Sequence, residues 1–160
     1  PTNFHDAGAQ VRWDALETRV GNAELLVGPA DAISLPRTNF DFVLMHMIYH
    51  DFYWQSDEYK FPRVDPAAVL AEVFAATKPG GIVGVVDHVA KPGGDTRAVV
   101  EKLHRIDPAV VRADFERAGF VFDGESNLLR NLEDDHSKLV FDPSVRGKTD
   151  RVVYRFRKPE

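Results

Sequence analysis

The chain has 160 residues, 44% of them hydrophobic and 28% charged, a balance that fits one globular domain and excludes a disordered or fibrous chain. Its net charge of -5 argues against non-specific nucleic-acid binding, which needs a basic surface. There is no cysteine, so disulfides and thiolate chemistry are excluded, and no apolar run reaches the roughly 18 residues of a membrane span.

The periodicity predicts a helix over residues 9–20, with Trp13, Leu16 and Val20 on one face, stopped by Gly21 and Asn22. Residues 23–27 read as a short strand closed by Gly28-Pro29, and residues 30–39 as a loop. Residues 40–45 are an apolar strand, expected to be buried. The stretch from His50 to Val64 is polar and aromatic without a clear period, as in a long functional loop.

Asp65-Pro66 is a helix start, an N-cap carboxylate followed by proline at the first helical position. Val69, Leu70, Val73 and Phe74 supply the apolar face, and Lys78-Pro79-Gly80-Gly81 ends the helix. Residues 82–86 form a continuous apolar strand. A helix is predicted over residues 95–104. Asp107-Pro108 then repeats the start signature, with Val111 and Phe115 facing inward and Gly119 as the stop. Residues 120–124 and 151–156 are the last two strands, separated by a polar excursion over residues 126–150. Alternation in the front half argues for a parallel sheet. The last two strands lack a helix between them, so one of them is expected to run antiparallel.

Two apolar strands therefore end in ionisable side chains. The first leads to His46 and then to His50-Asp51, the second to Asp87-His88. In an open α/β sheet, ligands bind beyond the carboxyl ends of the strands. Histidine is the usual general base near neutral pH, because its pKa lies near 6.5. His50 could take a proton from a bound hydroxyl or amine, with Asp51 orienting the ring. Asp87 and His88 could bind a substrate's polar groups, tune His50, or simply cap their strand. His46 and His50 are four apart, a spacing that suits a helix face and not a strand end. With no HExxH and no cysteine, no metal is expected. Tyr49, Phe52, Tyr53 and Trp54 could wall a substrate or pack as a lid on their own core. Arg105, Arg130, Arg146 and Lys148 could bind an anionic group, but surface pairing with Asp134, Asp135 and Asp150 is the favoured reading.

Several segments resemble the class I S-adenosylmethionine-dependent methyltransferases. They are Asp31-Ala32-Ile33-Ser34-Leu35-Pro36, the strand and loop from Phe40 to His50, the Lys78-Pro79-Gly80-Gly81 turn, the Arg117-Ala118-Gly119-Phe120 turn and the final antiparallel strand. More narrowly, Tyr49-His50-Asp51, Asp87-His88, His104-Arg105-Ile106-Asp107, Leu129-Arg130-Asn131, Asp134-Asp135-His136 and Arg146-Gly147-Lys148-Thr149-Asp150 resemble a bacterial group of predicted methyltransferases of unassigned substrate.

The resemblance implies an α/β, Rossmann-like sheet, mostly parallel with an antiparallel last strand. It implies S-adenosylmethionine as cofactor, with Asp31 and Ala32 beside the adenine and His46 near the methionine part. The implied reaction is in-line methyl transfer to a small-molecule acceptor, with His50 as base, Asp51 supporting it, and Asp87 and His88 lining the acceptor site. Charge and hydropathy lead to the expectation of no nucleic-acid or membrane partner, and the protein is expected to be cytoplasmic, with a homo-oligomer left open.

The family's Gly-rich first turn has no counterpart here, since no GxGxG occurs. The 160 residues are therefore expected to be the carboxy-terminal part of the fold, incomplete at the amino end. In the family order 3-2-1-4-5-7-6, the strand at residues 23–27 is not expected to pair with that at residues 40–45. The slot between them is expected to stay open or to be closed by a partner chain. Two rival readings are a nucleotide-fold oxidoreductase, disfavoured by the turn and the antiparallel ending, and a non-catalytic interaction module retaining part of the fold.

Overall fold

The computed structural model describes residues 1–160, the side chain of Asn3 apart. Each α-helix begins at an aspartate. Helix α1 (Ala7–Val20) is capped by Asp6, which accepts from the Ala9 N–H at 2.6 Å. Helices α2 (Pro66–Ala76) and α4 (Pro108–Arg117) start with proline behind Asp65 and Asp107, which accept from Ala67 and Ala109 at 3.0 and 2.8 Å. Asp95 caps α3 (Thr96–Leu103) through the Ala98 N–H at 2.8 Å. These caps satisfy amide groups that a helix start would otherwise leave unpaired, and proline fits there because its missing N–H costs nothing.

The strands β1 (Phe40–His46), β2 (Thr77–His88), β3 (Val121–Ser126) and β4 (Arg151–Arg157) form one sheet in the order β1-β2-β4-β3. β1 runs parallel to β2, while β4 is antiparallel to both β2 and β3. Three strands therefore share one direction and the last reverses, as the sequence implied. The turn expected at residues 78–81 is a bulge inside β2. The ladder steps from Phe40 opposite Thr77 to Phe42 opposite Ile82, so these residues loop out. Gly80 sits there at φ 72°, a left-handed conformation that side chains disfavour.

Helices α2 and α4 cover one face of the sheet. Leu70, Val73, Val111 and Phe115 are buried with Val83, Val85 and Phe156, and Phe115 stacks on Phe156 with ring centroids 4.3 Å apart. The alternation of a strand sends Phe42 and Leu44 to the opposite face. There they lie over Gly84 and stay 57% and 58% exposed. This corrects the expectation of a buried β1, since helices pack against only one of its faces. Residues 23–27 form no strand, because no neighbouring strand offers them a ladder, and β1's outer edge pairs with no strand among the described residues. The predicted apolar face of α1 is likewise not buried. Trp13 and Val20 are exposed, and α1 buries no residue. Among the described residues, no helix is long and apolar enough to cross a membrane.

The polar excursion before β4 is organised by buried charge. Arg105 forks onto Asp134 with N···O distances of 2.8 and 3.1 Å, and both side chains are buried. Asp134 also accepts from the Asp150 N–H at 2.7 Å. The Asp150 carboxylate holds Arg130 at 2.8 and 2.9 Å and His136 at 3.0 Å. The favoured pairing of Arg105 and Arg130 with Asp134 and Asp150 is thus found, but Arg105–Asp134 lies in the interior and not on the surface. Asp135 bonds to its own neighbour Ser137.

Burial alone would raise the pKa of Asp134 and of Asp150. Arginine and backbone N–H bonds outweigh it and hold both below the ordinary carboxylate value. Lowered folded-state values mean that this stabilisation is complete above the unfolded pKa, about 3.9, and is lost as pH falls through the folded values. The melting temperature is therefore expected to drop most steeply below about pH 4. A melting temperature that stays level through that range would remove these carboxylates from the stability of the fold.

Candidate active site

Beyond β1 the chain turns sharply at Met47, whose φ is 53° and whose N–H bonds to the Val86 carbonyl at 2.7 Å. A short 3-10 helix, Tyr49–Tyr53, follows. Tyr49 anchors it: the ring is buried against Phe115, and its hydroxyl donates to Asp114 at 2.7 Å. Tyr53 donates to the same carboxylate. Tyr49 is therefore a packing residue, whereas Phe52 and Trp54 reach the smaller and the larger of the two cavities described below.

This anchoring swings His50 over the end of β2. Its Nδ1 lies 2.7 Å from Asp87 Oδ1, and its backbone N–H donates to Asp87 Oδ2 at 2.8 Å. Asp87 is fully buried and also accepts from the His88 N–H at 2.7 Å. On the other side of the ring, His50 Nε2 is 3.2 Å from Asp51 Oδ1, which itself lies 3.5 Å from His104 Nδ1. His88 places its Nδ1 2.7 Å from the Thr149 hydroxyl.

These surroundings separate the two histidines. Burial disfavours a charged His50, but the hydrogen bonds and charges of Asp51 and Asp87 outweigh it and push its pKa up to about 10. Burial likewise opposes a charged Asp51, yet His104 and His50 bring it down to about 2. His88 is pulled down to about 4, chiefly by burial. The two carboxylates thus make His50 hold its proton more tightly than an ordinary imidazole. His88 is the neutral imidazole of the pair.

Two cavities open at this end of the sheet. The larger, about 510 Å³, is lined by His50, Asp51, Trp54, His88, His104 and Phe141 among others. The smaller, about 400 Å³, is mostly apolar and is walled by Pro29, Ala30, Ile33, Leu35 and Phe52. Asp51 and Phe4 line both. The structure therefore brings together His50, Asp51, Asp87 and His88, with Asp87 behind His50. Asp31 and Ala32 sit on an exposed turn between the lining residues Ala30 and Ile33, at the rim of the smaller cavity. His46 is exposed at the end of β1 and lines neither cavity.

No family model matches the sequence, and no curated protein matches it. Solved structures do. The [4+2]-cyclase SpnF superposes with a TM-score of 0.63 at 14% identity, over 95% of this chain and 62% of that one. An S-adenosylmethionine-dependent methyltransferase from Aquifex aeolicus gives 0.57 at 18% identity, over 92% and 61%. A 1,6-didemethyltoxoflavin N1-methyltransferase from Burkholderia thailandensis, solved with bound substrate and S-adenosylhomocysteine, gives 0.57 at 14%, over 92% and 56%. The fold is that of the class I methyltransferases.

The sheet order β1-β2-β4-β3 has the pattern of the 4-5-7-6 stretch in the order that the resemblance implied, and the chain spans about three fifths of the length of these matched structures. Both cavities lie at the carboxyl ends of the parallel strands, the side on which such sheets bind ligands. One member of the site escaped the sequence reading. His104 was visible only as part of a resembling stretch, yet its ring faces the cavity between Trp54 and Phe141, with centroids 5.2 and 5.3 Å away. Its signal was positional: a histidine stands at the helix stop, where glycine or asparagine is usual.

Proposed function

We propose that this chain is the carboxy-terminal part of a single domain that transfers a methyl group from S-adenosylmethionine to a small-molecule acceptor. The observation that carries the reading is the meeting of the two cavities at Asp51, at the strand ends of a methyltransferase fold. The smaller cavity, with its apolar wall, suits the adenosine part of the cofactor. The larger, with its convergent polar groups, suits the acceptor, and its volume lies in the range of small-molecule sites. Asp31 and Ala32 would hold the adenine from the rim, and His46 would reach the methionine part from the end of β1. His50 and His88 would contact the acceptor, Asp51 would stand where the two ligands meet, and Asp87 would orient His50. Much of the rate can come from positioning, because the sulfonium is already a strong electrophile. The partner of this reading is a small-molecule acceptor, and the cytoplasm is its proposed location.

Calorimetric titration with S-adenosylmethionine tests this. Saturable binding supports it, binding of a nicotinamide dinucleotide instead favours the oxidoreductase, and binding of neither leaves the non-catalytic module. Asp31→Ala is expected to weaken S-adenosylmethionine binding by ~1–2 kcal/mol, the scale of one polar contact. Equal affinities for variant and parent would make Asp31 a solvated turn residue.

A further inference from the structure

We infer that His50, Asp51 and His104 form a site for one divalent transition-metal ion in the wall of the larger cavity. Each of the three offers a ligand atom, and these atoms all lie within 4.8 Å of one another. His50 Nε2 and Asp51 Oδ1 are 3.2 Å apart, and His104 Nδ1 and Asp51 Oδ1 are 3.5 Å apart. Two ligands on a tetrahedral ion with bonds of about 2.1 Å would stand roughly 3.4 Å apart. Two of the three spacings already match, and the third is within 4.8 Å.

The supports around the trio are those a metal site needs. Asp87 holds His50 Nδ1 at 2.7 Å and the His50 backbone N–H at 2.8 Å. A carboxylate behind one ring nitrogen fixes the tautomer that aims the other nitrogen at the ion. The other nitrogen, Nε2, faces the Asp51 carboxylate oxygen at 3.2 Å, a gap that a proton fills at rest and that a metal ion would fill by displacing that proton. The Asp87 carboxylate is itself pinned by the His88 N–H at 2.7 Å, so the support is rigid.

His104 adds an independent observation. It ends α3 at φ 49° and ψ 47°, in the left-handed region that non-glycine residues seldom occupy, asparagine, aspartate and histidine most often among them. Strained backbone is kept where surrounding structure enforces it, often at ligand-binding positions. Here the conformation delivers the ring to Asp51. The neighbouring bonds from Ile106 N–H to the His88 carbonyl and from Ala90 N–H to the Ile106 carbonyl, both 2.9 Å, tie this corner to the end of β2.

Two imidazoles and one carboxylate, with no thiolate, select a borderline ion such as Zn²⁺, Co²⁺, Ni²⁺ or Fe²⁺ over Ca²⁺ or Mg²⁺. Three protein ligands leave further coordination positions toward the cavity, where an acceptor oxygen or nitrogen could bind. Among the described residues, no other set of three histidines and carboxylates converges in this way.

The inference stands apart from methyl transfer, because metal binding is read directly. Chelator-treated protein is titrated with Co²⁺ and followed by visible absorption, and with Zn²⁺ followed by thermal melting. One Co²⁺ per chain with intense d–d bands and a rise in melting temperature with Zn²⁺ are expected. Affinity should fall at least tenfold in His104→Asn, which keeps the left-handed preference and loses the imidazole, and in Asp51→Ala. His136→Ala, which lines neither cavity and belongs to no ligand set, should bind as the parent does. No saturable binding by the parent, or unchanged affinity in either folded variant, overturns the site and leaves a proton as the cation between His50 and Asp51.

Discussion

Replacing Arg105 with alanine is expected to destabilise the protein by about 3–5 kcal/mol, the scale of breaking one partner from a buried ion pair. The guanidinium is fully buried and donates to four acceptors: both Asp134 oxygens at 2.8 and 3.1 Å, the Val89 carbonyl at 3.1 Å and the Lys138 carbonyl at 2.8 Å. Its removal strands the Asp134 carboxylate without a cation. The N–H groups of Asp150 and His136, at 2.7 and 3.1 Å, would remain as its partners. Two carbonyls would lose a donor, and a space as long as the side chain would open. Native domains are typically stable by only about 5–15 kcal/mol, so this loss is a large share of the total. Urea unfolding of parent and variant measures it. A loss below about 1 kcal/mol would mean that the loop over residues 127–150 relaxes without cost, and that the buried pair does not hold it against the sheet.

His50→Ala is expected to lower methyl transfer by about 10²-fold or more, the usual scale for a positioned proton-transfer group. Affinity for S-adenosylmethionine should change little. His50 lines the cavity proposed for the acceptor and lies 3.2 Å from Asp51, which lines both cavities. The variant should still fold, because Asp87 keeps the backbone N–H groups of residue 50 and His88 as partners after the ring is gone. Single-turnover rates with saturating acceptor, beside calorimetric cofactor affinity, separate the two effects. An unchanged rate takes His50 out of the mechanism, whereas equal losses in rate and cofactor affinity would make it a binding residue.

The helices were legible because their signals are local. Asp65-Pro66 and Asp107-Pro108 each cap the helix they were expected to start. The strand at residues 23–27 failed for a non-local reason, since a strand exists only against another strand, and alternation cannot report whether one is there. β1 shows the same limit. Its apolar run is real, but Phe42 and Leu44 lie exposed on the face that α2 and α4 do not cover.

The site divides along the same line. Periodicity, caps and strand-end position, written within a few residues, located the helix starts and the two strand ends that carry His50, Asp51, Asp87 and His88, while the fold class and the strand order came from the resemblance to methyltransferases. Only the tertiary structure decided which charges meet. It drew Asp87 behind His50 across 37 positions and Asp134 onto Arg105 across 29. It also turned His104 toward Asp51 from the end of another helix. The physical reason is that protonation and coordination depend on distances of about 3 Å and on burial, and both arise only when segments far apart in the chain pack together.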